Sequence, residues 1–458
     1  MATAGIHRDL KVDVSHKQIL SIALPITLSI LIPQVNWLTN AIFLGQLSTE
    51  ALANAGITGV FYLIFAVAGN GLNAGMQNVF SREAGAGKTS RFSIILSQGI
   101  IISLVFSTAC ILFTWLVAPT ILSRATDPLS YKLEMSFLRI RIIGLPFLFL
   151  FQMGNAFLIS SLNSRWLLVG FITETVTNIL FDYVLIFGKA GFPQMGFNGA
   201  AWASVIAEFL SMISIWLVLL STGLRKEYKL LHRFSYNPIT TGKILNISLP
   251  LVLQYIMSVS TWFIFFLLIE ARGIIAKAIS NTMRNVFGLA GVFVWSFAST
   301  CNTIVSNLMG QHREEMVLIA IKRIMYWSLG CSLVLASLLN IFPHYFFSLF
   351  GQPEEFVQTA IPVIRVVGPG ILLMSMANVW LNGVTGTGKT RVNLVIEFVA
   401  ISLYMGYTWY FMKLHYVSLA VAWSNEFVYW SAIFLMSFLY LKKGKWRTSP
   451  GVPNEKNP

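Results

Sequence analysis

The sequence predicts an all-α polytopic membrane protein with twelve transmembrane helices in two repeat-related six-helix lobes. Three observations carry that expectation. Of the 458 residues, 56% are hydrophobic and 11% charged, and the mean hydropathy is +0.70, a balance foreign to soluble domains. The apolar residues gather into twelve runs, each long enough to cross a bilayer at about 1.5 Å per helical residue. Finally, the second half of the chain repeats the first.

Taken in order, the runs lie at approximately 17–44, 53–81, 93–118, 136–161, 166–187, 197–221, 243–269, 276–306, 322–349, 361–384, 391–412 and 416–441. The first follows a polar stretch, Met1 to Ser15, that has no short apolar core with a small-residue cleavage site. The first run is therefore expected to stay in the membrane. The chain divides into a tail (1–16), a first lobe (17–222), a basic link (223–242), a second lobe (243–441) and a tail (442–458). Alternate links are rich in Lys and Arg: Arg8, Lys11 and Lys17; Arg82, Lys88 and Arg91; Arg165; Arg225 to Lys243; Arg313, Lys322 and Arg323; Lys389 and Arg391; Lys442 to Arg447. The other links hold only Arg124, Lys132, Lys189, Arg272, Lys277 and Lys413. The positive-inside bias then places both termini in the cytoplasm of a protein spanning the cell membrane.

The net charge of +14 is spread over these links rather than over one face, so no nucleic-acid partner is expected. Cys110, Cys301 and Cys331 lie within apolar runs and form neither a disulfide framework nor a metal motif. The six histidines sit in tails, links or helix ends, which argues against a histidine proton relay.

The repeat is visible in a constant register. Ile19-Leu20-Ser21-Ile22-Ala23-Leu24-Pro25 returns as Ile244-Leu245-Asn246-Ile247-Ser248-Leu249-Pro250. The same offset pairs Trp37 with Trp262 and Gly85 with Gly310, and a nearly equal one pairs Pro146 with Pro369, Asn155 with Asn378 and Glu174 with Glu397. Six helices per unit is an even number, so both copies enter from one side. That is a parallel repeat with the substrate site expected between the halves.

Within the fifth run, Glu174, Asn178 and Asp182 recur every four residues and so form one polar stripe on a helix. A carboxylate near mid-bilayer costs about 2.5–3.5 kcal/mol even on the mildest scale. A proton, a cation or a water-filled cavity would offset that cost; position near a helix end, or protonated acids that bridge helices, would do so without function. Arg284, within the eighth run, leaves three readings open: pairing with a carboxylate, lining a cavity for an anionic ligand, or snorkelling.

Four segments carry a resemblance. Ala23-Leu24-Pro25, Ser81-Arg82-Glu83-Ala84-Gly85-Ala86-Gly87-Lys88, the stretch Asn178 to Gly188, and Gly196-Phe197-Asn198-Gly199-Ala200-Ala201-Trp202-Ala203 resemble the multidrug and toxic compound extrusion (MATE) family. The resemblance implies a secondary active antiporter that exports small organic molecules, drug-like and cationic or neutral amphipathic, in exchange for protons or sodium ions by alternating access. It implies no enzyme activity, no cofactor besides the coupling ion, and a monomer. Carried over residue by residue, the family's coupling site falls on Asn155 (helix 4), Asn178 and Asp182 (helix 5) and, more loosely, Ser204 (helix 6), with Asp182 and Asn178 as metal ligands if the ion is sodium. Asn40 stands on helix 1 where the family has Asp, which removes one formal charge. Ser258 replaces the acid that some members carry on helix 7, and helix 10 has no carboxylate.

Glu174 is the nearest replacement acid, with Glu397, Glu208 and Glu426 in reserve. Arg284, Asn378 and Glu397 are candidates for a substrate cavity. The alternative is a lipid-linked oligosaccharide flippase of the same superfamily, an activity that wants a cationic cavity. Gly383 to Thr390 spells a phosphate-binding loop but follows a membrane helix rather than a strand, so it is expected to be a cytoplasmic turn. Pro25, Pro33 and Pro250 are candidate kinks. The many Phe and Met side chains fit a drug cavity and ordinary packing equally.

Overall fold

A computed structural model describes residues 9–232, 234–348, 354–415 and 417–447. Arg8 and the other residues ahead of Asp9, Arg233 of the link, and the tail beyond Arg447 lie outside the described residues.

Among the described residues, twelve helices are long and apolar enough to cross a membrane. They are α1 (His16–Leu47), α2 (Asn54–Gly85), α3 (Thr89–Arg124), α4 (Pro128–Ser160), α5 (Ser164–Phe187), α6 (Phe197–Ser221), α7 (Pro238–Ile269), α8 (Ile274–Gly310), α9 (Glu314–Ile341), α10 (Glu354–Gly386), α11 (Thr390–Leu414) and α12 (Leu419–Lys442). Each matches a predicted run, because backbone polar groups in hydrocarbon must be satisfied within the segment and a long apolar run has no alternative to a helix. The departures lie at helix ends. α4 begins at Pro128, ahead of the predicted start: Asp127 caps it by accepting from the Leu129 and Ser130 amides (3.0 and 3.1 Å). α9 stops at Ile341, where the run was expected to continue to 349. Pro343 opens a separate short helix, Pro343–Ser348.

The repeat also needs a correction. The turn after α2 is left-handed at Gly87, and the turn after α8 at His312, which preserves the first register. The turns after α4 and α10 are left-handed at Leu162 and Gly388, so the later register is offset by 226 positions, from Ser160 to Gly386. The pairs Asn155/Asn378 and Glu174/Glu397 therefore miss equivalence by three residues. That is nearly one helical turn, which leaves them on similar faces and explains why the slip looked like a match.

Contacts divide the chain into two compact units. One holds Lys17–Ser260 with the residues up to Lys11; the other holds Val12–His16 and the chain from Thr261 onward. The division falls within α7. In the first unit the amino-terminal part of α7 lies hard against α2: a Cβ on Gly71 would come within 2.7 Å of the Val252 backbone, and one on Gly75 would strike Ser248. Lys243 at the start of α7 forms an ion pair with Glu83 (2.7 Å). Buried Gln98 of α3 holds the end of the basic link, donating to the Ser235 carbonyl (2.7 Å) and accepting from the Asn237 amide and the Thr241 hydroxyl. Phe80, Phe92, Phe157 and Tyr228 interlock edge to face beneath it.

The second unit packs around Phe265, Phe287 and Trp423. It also takes in a piece of the predicted tail. Val12 and Val14 are buried while Lys11 and Asp13 face out. The Val12 amide donates to Asn307 Oδ1 (3.1 Å), Gln311 donates to the Val12 carbonyl (2.9 Å), and Arg323 to the Val14 carbonyl (2.7 Å). The Trp327 indole donates to His16 Nδ1 (2.9 Å). This segment is a clasp built into the second unit.

Candidate functional site

Asp182 sits in the last turns of α5 and is completely buried. Its Oδ2 accepts from Asn40 Nδ2 of α1 (3.1 Å), and one turn earlier Asn178 Oδ1 accepts from Asn36 Nδ2 (2.8 Å). Asn36 and Asn40 are themselves four apart, so two amides of α1 meet two polar side chains of α5 rung by rung. Three buried atoms of this ladder have no hydrogen-bond partner: Asp182 Oδ1, Asn178 Nδ2 and Asn36 Oδ1. Asn40, the position at which the resemblance leads one to expect an Asp, thus touches Asp182. It supplies a donor in place of a second negative charge.

The other end of the stripe faces different company. Glu174 lies two turns away, about 12 Å along the axis at 1.5 Å per residue, and is half-buried. Its neighbourhood is a charged cluster that sequence reasoning missed. Arg141 of α4 donates from Nη1 and Nη2 to Oε2 and Oε1 of Glu208 on α6, both at 2.7 Å. The Tyr62 hydroxyl of α2 donates to the same carboxylate (2.8 Å), and the guanidinium stacks 3.7 Å above the Tyr62 ring. α4 passes through a 3-10 turn at Ile142–Gly144, and Gly144 leaves the space that Glu208 fills, since a Cβ there would strike Oε2. Arg141 acts electrostatically on both Glu174 and Asp182. An arginine beside Gly144-Leu145-Pro146 inside an apolar run was the available signal.

The remaining candidates are scattered. Asn155 on α4 is buried with its Oδ1 lacking a partner, but no hydrogen bond joins it to Asp182 among the described residues. Ser204 is half-buried on α6. In the second unit Arg284 lies over the Phe266 ring (5.9 Å), and Asn378 Nδ2 donates to the Met374 carbonyl of its own helix (3.1 Å). Glu397 is buried and takes the Tyr429 hydroxyl. Met374 and Met283 are buried in the core of this unit. Among the described residues no group of three or more His, Cys, Asp or Glu side chains is placed to hold a metal ion. Gly383 and Gly386 of the phosphate-loop spelling form the last turn of α10, and Lys389 follows a left-handed Gly388. A membrane helix rather than a strand precedes it, and its glycines Gly383 and Gly386 lie at the carboxy-terminal end of that helix, which presents carbonyls.

These features define a duplicated six-helix membrane protein that keeps the Asp182 carboxylate and a ladder of amides inside its first lobe. A sequence model of the MatE family matches residues 25–184 and again 250–410, and the chain belongs to that family of membrane transporters. It is not an enzyme. It is 20% identical to the probable multidrug resistance protein NorM of Thermotoga maritima over 448 residues, 96% of this chain and 95% of that one. It is 28% identical to the probable NorM of Listeria monocytogenes serotype 4b over 301 residues, covering 65% and 66% of the two chains. Solved structures share the fold. A MATE transporter in complex with MaL6 superposes with a TM-score of 0.86 at 18% identity, over 96% of this chain and 99% of that one. A Pyrococcus furiosus transporter of the MOP superfamily, described as having a binding pocket of reverse polarity that suggests a different function, superposes with a TM-score of 0.86 at 17% identity, over 98% of each.

Proposed function

We propose that this chain is a monomeric cation-coupled antiporter of the cell membrane, with both termini in the cytoplasm, that exports small organic molecules by alternating access. The observation that carries the reading is the unpartnered Oδ1 of fully buried Asp182 beside unpartnered Asn178 Nδ2 and Asn36 Oδ1. A buried carboxylate with one free oxygen and only a neutral donor on the other is a costly state, which a proton or a monovalent cation relieves. For a proton, Oδ1 is the acceptor. For sodium, a joint flip of the Asn36 and Asn178 amides keeps one hydrogen bond between them and turns Asn178 Oδ1 toward the ion beside Asp182 Oδ1. Because Asn40 carries no charge, loading one cation neutralises the site. Unloading it restores the penalty that favours the next rearrangement.

The energetics fit a modest pump. A proton crossing about 100 mV contributes roughly 2.3 kcal/mol, and each pH unit adds about 1.4 kcal/mol. The names of the curated relatives support organic, drug-like cargo. The flippase alternative requires surplus positive charge around a diphosphate. The Arg141 charge is taken up by Glu208, and Arg284 sits against an aromatic ring, so the antiporter reading is preferred.

Dye or norfloxacin efflux from proteoliposomes, with pH and sodium gradients imposed separately, tests it. One gradient alone is expected to drive efflux. Asp182→Asn should abolish driven efflux while the protein remains folded in the membrane; full activity of that variant refutes the assignment.

A further inference from the structure

The second unit contains a buried polar cluster that coupling at Asp182 does not use. α11 leaves α-helical geometry for a π turn at Trp409–Leu414, and α12 is broken at Ser424 between Leu419–Trp423 and Asn425–Lys442. Such irregularities free backbone groups and recur where membrane transporters hold ions. Here they are tied to each other: Asn425 Nδ2 donates to Thr408 Oγ1 (3.0 Å), and the Tyr407 and Ser424 hydroxyls share a hydrogen bond (2.7 Å). Glu426, 4% exposed, follows the break. Its Oε2 accepts from the Trp430 indole (2.8 Å), while its Oε1 is buried with no partner. Asn425 Oδ1 and the Tyr404 hydroxyl are also buried without partners, and Tyr404 lies against both Asn425 and Glu426.

The charged groups of the surrounding elements do not neutralise Glu426. Arg272 donates to the Met412 and Val417 carbonyls. Arg284 of α8 lies over Phe266, and Arg365 of α10 and Lys413 of α11 are exposed. Glu397 of α11 is bonded by Tyr429. With Glu426 ionised, the single phenolic hydrogen of Tyr404 must serve two neighbouring side chains, Glu426 and Asn425, that each keep an unpartnered acceptor oxygen. A proton on Oε1 supplies the missing hydrogen. The position in the first turn of the helical segment after the break tempers the ionised state, so the group can also be emptied.

We propose that Glu426, with Tyr404 and Asn425 as hydrogen-bond partners, is a second proton-binding site housed entirely in the second unit. An O–H bond forms at Oε1 on loading, and the proton leaves to water on emptying. Proton binding here stands independently of Asp182; only its part in transport rests on the export reading above.

Infrared titration of the purified full-length protein in the Asp182→Asn background tests the binding. Of the protonated-carboxyl intensity that grows on acidification, one carboxyl's component should be lost on adding Glu426→Gln while that of the other acids remains, and Tyr404→Phe, which keeps the acid, should shift the midpoint of that component. Titration spectra that Glu426→Gln leaves unchanged, or a midpoint that ignores Tyr404→Phe, overturn the site. For transport, proteoliposomes at zero membrane potential with a one-unit pH gradient should accumulate a neutral dye up to about 100-fold if two protons are exchanged, and about 10-fold for Glu426→Gln. Equal ratios overturn the transport role. Absence of accumulation in every variant, with the infrared signature intact, indicts the export reading alone.

Discussion

Replacing Glu208 with Gln strands a guanidinium. The side chains of Arg141 and Glu208 are 13% and 4% exposed, so neither partner can turn to water when the other is lost. The wild-type pair makes two charge-assisted bonds at 2.7 Å. In Glu208→Gln one of these becomes a weaker bond to a neutral carbonyl, and the other sets an amide NH2 against a guanidinium N–H. Breaking one partner of a buried pair costs about 3–5 kcal/mol, which is about two to four decades in the unfolded fraction. Arg141→Met in the same chain removes the stranded charge, so the double variant should recover most of the loss, leaving a coupling energy of at least about 2 kcal/mol. The cycle is measured by equilibrium unfolding in mixed micelles followed by helical circular dichroism. Additive single effects, or a Glu208→Gln cost below about 1 kcal/mol, refute the reasoning. A functional signature should accompany it: the uncompensated guanidinium acts on both Glu174 and Asp182, so cation-driven efflux should fall more than stability alone explains.

The packing of α2 on the first part of α7 predicts that Gly71→Ala destabilises by about 1–3 kcal/mol, whereas Gly59→Ala, which meets nothing within 4 Å, is neutral or gains helix propensity; thermal unfolding separates them. Lys389→Ala should leave transport unchanged in ATP-free proteoliposomes, because the glycines before it end a helix rather than cradle phosphate. In the clasp, hydrogen bonds from Ser15, reinforced by Arg313, hold the Asp13 carboxyl below the usual carboxylate range. The stabilisation is therefore complete above the ordinary Asp value and lost as pH falls through the lower folded one. Hydrogen exchange at the Val12 amide should accelerate only in that acidic window, and Asp13→Asn should remove the dependence.

Helix number was legible because in hydrocarbon the length of an apolar run alone decides the element. The stripe Glu174, Asn178, Asp182 was legible for a similar reason, since a four-residue spacing survives without tertiary knowledge. Its partners were not: Arg141 and Glu208 lie 67 positions apart on different helices, and no local pattern announces their meeting. The break at Ser424 was hidden because Leu419-Ala420-Val421-Ala422-Trp423 continues the apolar run without a proline or glycine. The clasp escaped because Leu10, Val12 and Val14 alternate over too few residues to stand out from a polar tail.

That clasp has a consequence for biosynthesis. Val12 and Val14 find their hydrogen-bond partners 295 to 309 positions further along the chain, at Asn307, Gln311 and Arg323. During synthesis this segment must wait until α8 and the start of α9 have been made and inserted before it can dock. A bulky fusion placed close ahead of Asp9 would therefore hinder this later docking rather than the insertion of the first helices.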